Sequence, residues 1–126
     1  MKILGIDYGE KKVGLAISES ILAEPYKVIR CRGEEIFGKI KKVIEDEGIE
    51  LIVVGLSEGA TAERTKIFTD KLKDFTQIPI NFSDETLSTK ISQDLALKSG
   101  INRKKRKEME DAFAAAVMLQ NYIDKG

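Results

Sequence analysis

The sequence predicts an α/β fold, a five-stranded mixed sheet flanked by helices. Three observations carry that expectation. The chain opens with three short apolar runs of strand length. The apolar spacing then switches to the three- and four-residue intervals of a helix. Finally, Leu51-Ile52-Val53-Val54-Gly55-Leu56 is an unbroken apolar run, the mark of a strand buried on both faces inside a sheet. Antiparallel strands followed by alternating helices and strands predict a mixed sheet with helices packed on it.

Taken in order, residues 2–7 form the first run, ended by the turn signal Asp7-Tyr8-Gly9-Glu10. Residues 12–18 form a second, close enough to be its hairpin partner. Residues 26–31 read as a third strand, which takes in Cys31. Ile36, Phe37, Ile40, Val43 and Ile44 fall at helical spacing, and Gly48 sits where a helix C-cap glycine belongs. Residues 51–56 are the fourth strand. A second helix is expected from about Thr61 to Phe75, burying Ile67, Phe68 and Leu72. Residues 79–82 make a short fifth strand. Ser88 reads as the N-cap of a third helix carrying Ile91, Leu95 and Leu97 and closed at Gly100. A last helix is expected from roughly Lys105 to Asp124. No repeat, low-complexity stretch or linker interrupts the pattern, so residues 1–126 are expected to form one domain.

Composition narrows the chemistry. Hydrophobic residues at 42% and charged residues at 33% are those of an ordinary globular chain. With 21 basic and 21 acidic residues the net charge is zero, so any contact with nucleic acid must come from local patches rather than a whole-protein field. No run approaches the ~20 apolar residues of a membrane span. Nor does the N-terminus have the apolar core of a signal peptide. A single cysteine, Cys31, allows no intramolecular disulfide, and a reducing cytoplasmic setting is expected. There is no histidine. His-based acid–base catalysis and Cys/His zinc sites are therefore excluded, and metal or proton chemistry must run on carboxylates, lysines or water.

Three acids stand out. Asp7 closes an otherwise apolar strand, where a carboxylate entering the core needs a cation or hydrogen-bond donors to offset its desolvation. Equally, Asp7 could simply begin the turn at Tyr8-Gly9. Asp84-Glu85 follows the fifth strand, and acids at neighbouring strand ends favour a shared divalent cation. The competing reading makes Ser83-Asp84-Glu85-Thr86 a cap for the next helix. Asp111 is a lone acid leading into Ala112-Phe113-Ala114-Ala115-Ala116-Val117-Met118-Leu119. Small residues on its face would let the helix approach the sheet closely, although an acid early in a helix is also favoured by the macrodipole. Arg103-Lys104-Lys105-Arg106-Lys107 is the densest charge run and leads into Asp111. It is either a solvated loop or a phosphate contact. Three oxygen donors without histidine suit Mg²⁺ or Mn²⁺. Such ions beside a basic patch suit phosphodiester hydrolysis, with metals ~3.5–4 Å apart activating water and stabilising the leaving oxygen.

Five ordered blocks then carry a resemblance. Gly5-Ile6-Asp7-Tyr8-Gly9, Lys11-Lys12-Val13-Gly14-Leu15-Ala16, Val53-Val54-Gly55-Leu56, Asp84-Glu85-Thr86-Leu87-Ser88-Thr89 and Glu110-Asp111-Ala112-Phe113-Ala114-Ala115 resemble the YqgF/RuvX family over nearly the whole chain. The resemblance implies a ribonuclease H-like fold related to the RuvC resolvases. It implies a nuclease long described as a Holliday junction resolvase and now regarded as maturing the 5′ end of pre-16S ribosomal RNA. Asp7, Glu85 and Asp111 are the acids it implies for metal and catalysis, and Lys11, Lys12 and Arg64, with Arg103, Lys104, Lys105 and Arg106, remain as phosphate contacts. Two departures bear on substrate contacts. Thr86 stands where the family usually has Arg, and Ser57-Glu58-Gly59-Ala60 replaces a longer glycine-containing loop.

The expected partner is pre-16S rRNA, with branched DNA as the alternative and the ribosome or its precursor as a further partner. Either a monomer or a homodimer is compatible with the sequence. A non-catalytic RNA- or ribosome-binding module is the serious rival. The hairpin also resembles that of sugar-kinase ATPases, but those need two such domains around the nucleotide.

Overall fold

The sheet is built from β1 (Ile3–Tyr8), β2 (Lys12–Ser18), β3 (Ala23–Arg30), β4 (Leu51–Leu56) and β5 (Ile80–Asp84). The helices are α1 (Glu35–Glu47), α2 (Ala60–Leu72) and α3 (Glu110–Asp124). The computed structural model describes residues 1–9, 11–30, 33–56, 60–84 and 109–125. The helix expected from Ser88 to Gly100, the basic run at 103–107, Glu85, Thr86, Cys31 and the loop at 57–59 lie outside the described residues.

Strand order is β3-β2-β1-β4-β5. β1 pairs antiparallel with β2 and parallel with β4, β2 pairs antiparallel with β3, and β4 pairs parallel with β5. This is the expected mixed sheet, with the hairpin strands on one side of β1 and the crossover strands on the other. A consequence matters for function. β1, β3, β4 and β5 all run the same way, so their carboxyl ends share one edge of the sheet. β1 is the strand at which the connectivity reverses, where open α/β sheets usually place their ligands.

The pleat divides the core into two layers. Leu4, Ile6, Val13, Leu15, Ile52 and Val54 point to one face and pack with Ile36, Phe37, Ile40, Val43, Ile44, Phe68 and Leu72 of α1 and α2. Ile3, Ala16 and Val53 point to the other and pack with Ala115, Ala116, Met118 and Leu119 of α3. Fully burying one such Leu, Ile or Phe contributes roughly 1.5–3 kcal/mol, so each layer is a substantial clamp on the sheet.

α1 buries the five residues its periodicity named. It ends as expected at Gly48, whose left-handed backbone (φ 67°) lets its N–H and that of Ile49 reach the Ile44 carbonyl. α2 corrects one expectation. Ile67 is 58% exposed, and the face turned to the sheet is Thr65, Phe68, Thr69 and Leu72. Those positions follow the i, i+3, i+4, i+7 rule, whereas Ile67 lies a full residue rotation away from Phe68. The buried threonine is satisfied locally, because Thr69 Oγ1 donates to the Thr65 carbonyl at 2.8 Å. α2 also stops at Leu72 rather than Phe75, and β3 begins at Ala23, three residues before the expected start.

α3 is buried along Ala112–Leu119. At its far end Gln120 holds the β2–β3 turn with two 2.8 Å hydrogen bonds, accepting from the Ala23 N–H and donating to the Ile21 carbonyl. No described helix is long and apolar enough to cross a membrane.

Candidate active site at the carboxyl edge of the sheet

Asp7 is the penultimate residue of β1 and pairs with Gly14 of β2. By the pleat its side chain shares a face with Ile3 and Gly5, the face covered by α3. Two glycines let that helix lie close. A Cβ on Gly5 would come within 2.9 Å of Leu119 Cβ. A Cβ on Gly14 would collide with the Asp111 carbonyl and come within 2.8 Å of the Ala112 nitrogen. α3 therefore starts over Gly14 at the carboxyl edge and runs antiparallel to β1 toward Ile3. Asp7 and Asp111 are thus separated by a single β-ladder position and a glycine contact, on one face of the sheet.

The electrostatics of that corner are asymmetric. Asp111 is half-buried, and desolvation pushes its carboxyl pKa up from the ordinary value. The Lys12 ammonium pulls it back, while Glu110 adds to the push. Lys12 lies two residues before Gly14, on the same face of β2, and is itself half-buried. Lys11, by contrast, is exposed in the β1–β2 turn, which is closed by a 3.0 Å bond from the Gly9 N–H to the Lys12 carbonyl.

The other expected site residues fall differently. Asp84 ends β5 beside Leu56, and Glu85 lies outside the described residues. So do Arg103, Lys104, Lys105 and Arg106. Arg64 is exposed on α2, on the opposite face of the sheet from Asp111. There it borders a groove of about 300 Å³ with Tyr8, Phe37 and Phe68. Tyr8 stacks on Phe68 at 4.5 Å between ring centroids, and Phe68 on Phe37 at 5.3 Å. Among the described residues no three metal-ligating side chains cluster.

What they present still fits a hard cation. Both donors are oxygens, and Asp111 is partly desolvated beside the positive charge of Lys12. Sequence reasoning had not given Gly14 or Gly5 a role. Glycine inside an apolar strand is a signal for close backbone approach, and both could have been found that way.

A protein of Desulforamulus reducens named "Putative pre-16S rRNA nuclease" is 33% identical over 135 residues, covering 100% of this chain and 98% of the relative. One of the same name from Dictyoglomus thermophilum is 35% identical, covering 98% and 96%. Among solved structures, T. thermophilus RuvC in complex with Holliday junction substrate superposes with a TM-score of 0.67 at 16% identity, over 100% of this chain and 96% of that one. That likeness shows the fold, the ribonuclease H-like architecture expected from the resemblance. The profile of the RuvX family, described as "Holliday junction resolvase", matches residues 1–125, and the chain belongs to that family.

Proposed function

We propose that the chain is a divalent-metal nuclease that hydrolyses phosphodiester bonds at the carboxyl edge of its sheet, and that its substrate is the 5′ region of pre-16S rRNA. The observation that carries the reading is the approach of Asp111 to Asp7 across Gly14. Full-length relatives named for that RNA support the choice of substrate.

In this reading Asp7 and Asp111, with Glu85, the next residue in sequence after β5, would hold Mg²⁺ or Mn²⁺. The chemistry that ion supplies when bound is a lower pKa for the attacking water and neutralisation of charge on the phosphate. The chain's own residues set the geometry. Asp7 is fixed by its ladder position in β1, and Asp111 by the seating of α3 on Gly14, so neither carboxylate has to be ordered when substrate arrives. Lys12 lies beside Asp111 and contributes a positive charge for a phosphate oxygen, and Lys11 does the same from the turn. The burial that raises the Asp111 pKa also excludes bulk water, which strengthens these charge interactions.

The family description and the RuvC-like fold favour one second reading, cleavage of branched DNA. Incubating wild type and Asp7→Asn with Mg²⁺ or Mn²⁺ on pre-16S RNA and on a four-way DNA junction separates them. Cleavage of the RNA by wild type alone is expected. Cleavage of only the junction would replace the RNA reading with the DNA one. A wild type that cuts neither would leave an RNA- or ribosome-binding module, and an Asp7→Asn variant that cuts equally well would overturn the catalytic role of Asp7. The reading places the work in the cytoplasm, on the ribosome or its precursor. It needs only a monomer, and a homodimer would fit the two-fold symmetry of a junction.

A further inference from the structure

A second feature lies on the opposite face of the sheet from α3. β3 is the outer strand of the sheet, and between it and α1 runs a groove of about 740 Å³. Lys27 and Arg30 border it from β3, and Lys39 and Lys42 from α1, facing only Glu35 and Asp46. Four positive charges against two negative leave a local excess of two in a chain whose net charge is zero. Moreover, Lys39 and Lys42 each lie four residues from an acid on the same helix face, Glu35 and Asp46, a spacing that permits ion pairs. Neither pair is closed. Among the described residues none of the four cations is within ion-pair distance of a carboxylate, whereas Lys2 and Lys73 are.

The groove also has a direction. β3 runs parallel to β1 through the two antiparallel pairings, so Arg30 and the start of α1 lie at the edge that carries Asp7. Its other end lies at Tyr26, level with Gly5 and Ile6 of β1, and at Asp46 near the end of α1. The groove therefore opens at the carboxyl edge, two strands away from β1 and on the face of the sheet opposite α3.

We propose that this groove holds the phosphate backbone of the nucleic-acid substrate away from the site of cleavage, across the sheet from it. The inference rests on the nuclease reading for its substrate, but it concerns binding and not chemistry. Unpaired cations bind a polyanion by releasing its condensed counterions, which makes the affinity steeply dependent on salt.

The test is fluorescence anisotropy of a labelled single-stranded pre-16S fragment in EDTA, so that no turnover occurs, across a range of KCl concentrations. Lys39→Gln/Lys42→Gln conserves helix propensity on an exposed face. It should weaken binding about tenfold and lower the salt slope by about 1.4, two contacts at about 0.7 each. Lys27→Gln/Arg30→Gln repeats the test from the strand side and covers a helix variant that fails to fold. Lys66→Gln/Lys125→Gln removes equal charge elsewhere and should change affinity less than twofold. Groove variants that bind like this control would overturn the proposal, as would a wild type with no salt-dependent RNA binding. Loss of binding to anionic phospholipid vesicles with RNA binding intact would also overturn it, in favour of a membrane surface. The two readings fail separately. If wild type cuts nothing yet its RNA binding depends on these cations, the groove stands and the catalytic reading falls. If wild type cuts and the groove variants bind normally, only the groove falls.

Discussion

The Cα of Gly14 lies against the backbone carbonyl of Asp111, so closely that a methyl group at Gly14 would occupy the same space. Because Gly14 is the ladder partner of Asp7, this contact sets how near the two carboxylates come. Gly14→Ala should push the first turn of α3 off the sheet. We expect a stability loss of about 1–3 kcal/mol, as for overpacking elsewhere, and a larger fractional loss of metal-dependent cleavage than of stability. Gly38→Ala in α1 is the control, because nothing lies within 4 Å of a Cβ there. It should stabilise by roughly 0.4–1 kcal/mol and leave cleavage unchanged. Urea denaturation and a cleavage assay on both variants check this.

Asp111 is predicted to trade stability for function. Burial raises its pKa above the ordinary aspartate value of 3.8, so the folded chain holds the proton more tightly than the unfolded one. The ionised side chain therefore costs stability at neutral pH, and the cost is relieved as pH falls through the raised folded value. Asp111→Asn removes it. In EDTA at pH 7 the variant should melt higher than wild type, with the advantage shrinking as pH falls. It should lose cleavage and gain less from added Mg²⁺ than wild type does. A melting temperature that is lower than wild type at pH 7 in EDTA would contradict the assignment.

The aromatic stack under the other face makes a separate prediction. Phe68 lies between Tyr8 and Phe37 and is buried. Phe68→Ala should cost about 3–5 kcal/mol and loosen the end of β1, which carries both Tyr8 and Asp7. Ile67→Ala, one residue away and exposed, should cost less than about 0.5 kcal/mol. Chemical denaturation of the two variants side by side tests the corrected face of α2.

At the opposite edge Lys2 pairs with Glu47 at 3.0 Å and with Glu19 at 3.2 Å. The hydrogen bond from Lys2 holds the Glu47 carboxyl pKa below its ordinary value, and Tyr26 assists. A lowered folded pKa means the contribution is present above the unfolded value and is lost as pH falls through the folded one. In Lys2→Met the Glu47 pKa, followed by carbon-detected NMR titration, should rise toward the ordinary value. Cleavage should be unaffected, since Lys2 lies at the far end of β1 from Asp7.

Much of this was legible in the chain itself. Strands β2 and β4 and the buried face of α1 followed from apolar spacing, because alternation and helical periodicity are local properties that neighbouring residues settle among themselves. Asp7 and Asp111 were legible for a related reason, since an acid in an apolar segment conflicts with its surroundings. Ile67 was misjudged because an isolated apolar residue says nothing about phase, and the sheet selected the face holding Thr65 and Thr69 instead. The groove cations were hidden too. Lys27, Arg30, Lys39 and Lys42 sit on two elements and form no run, whereas the run that drew notice, at 103–107, lies outside the described residues.

For Asp7, then, the order of residues alone specified a carboxylate at the end of an apolar strand, in a chain without histidine. Its partnership was decided by the tertiary structure. Asp111 is about a hundred positions away in the chain, and only the packing of α3 on a strand whose glycine leaves no Cβ in the way brings the two acids to one edge.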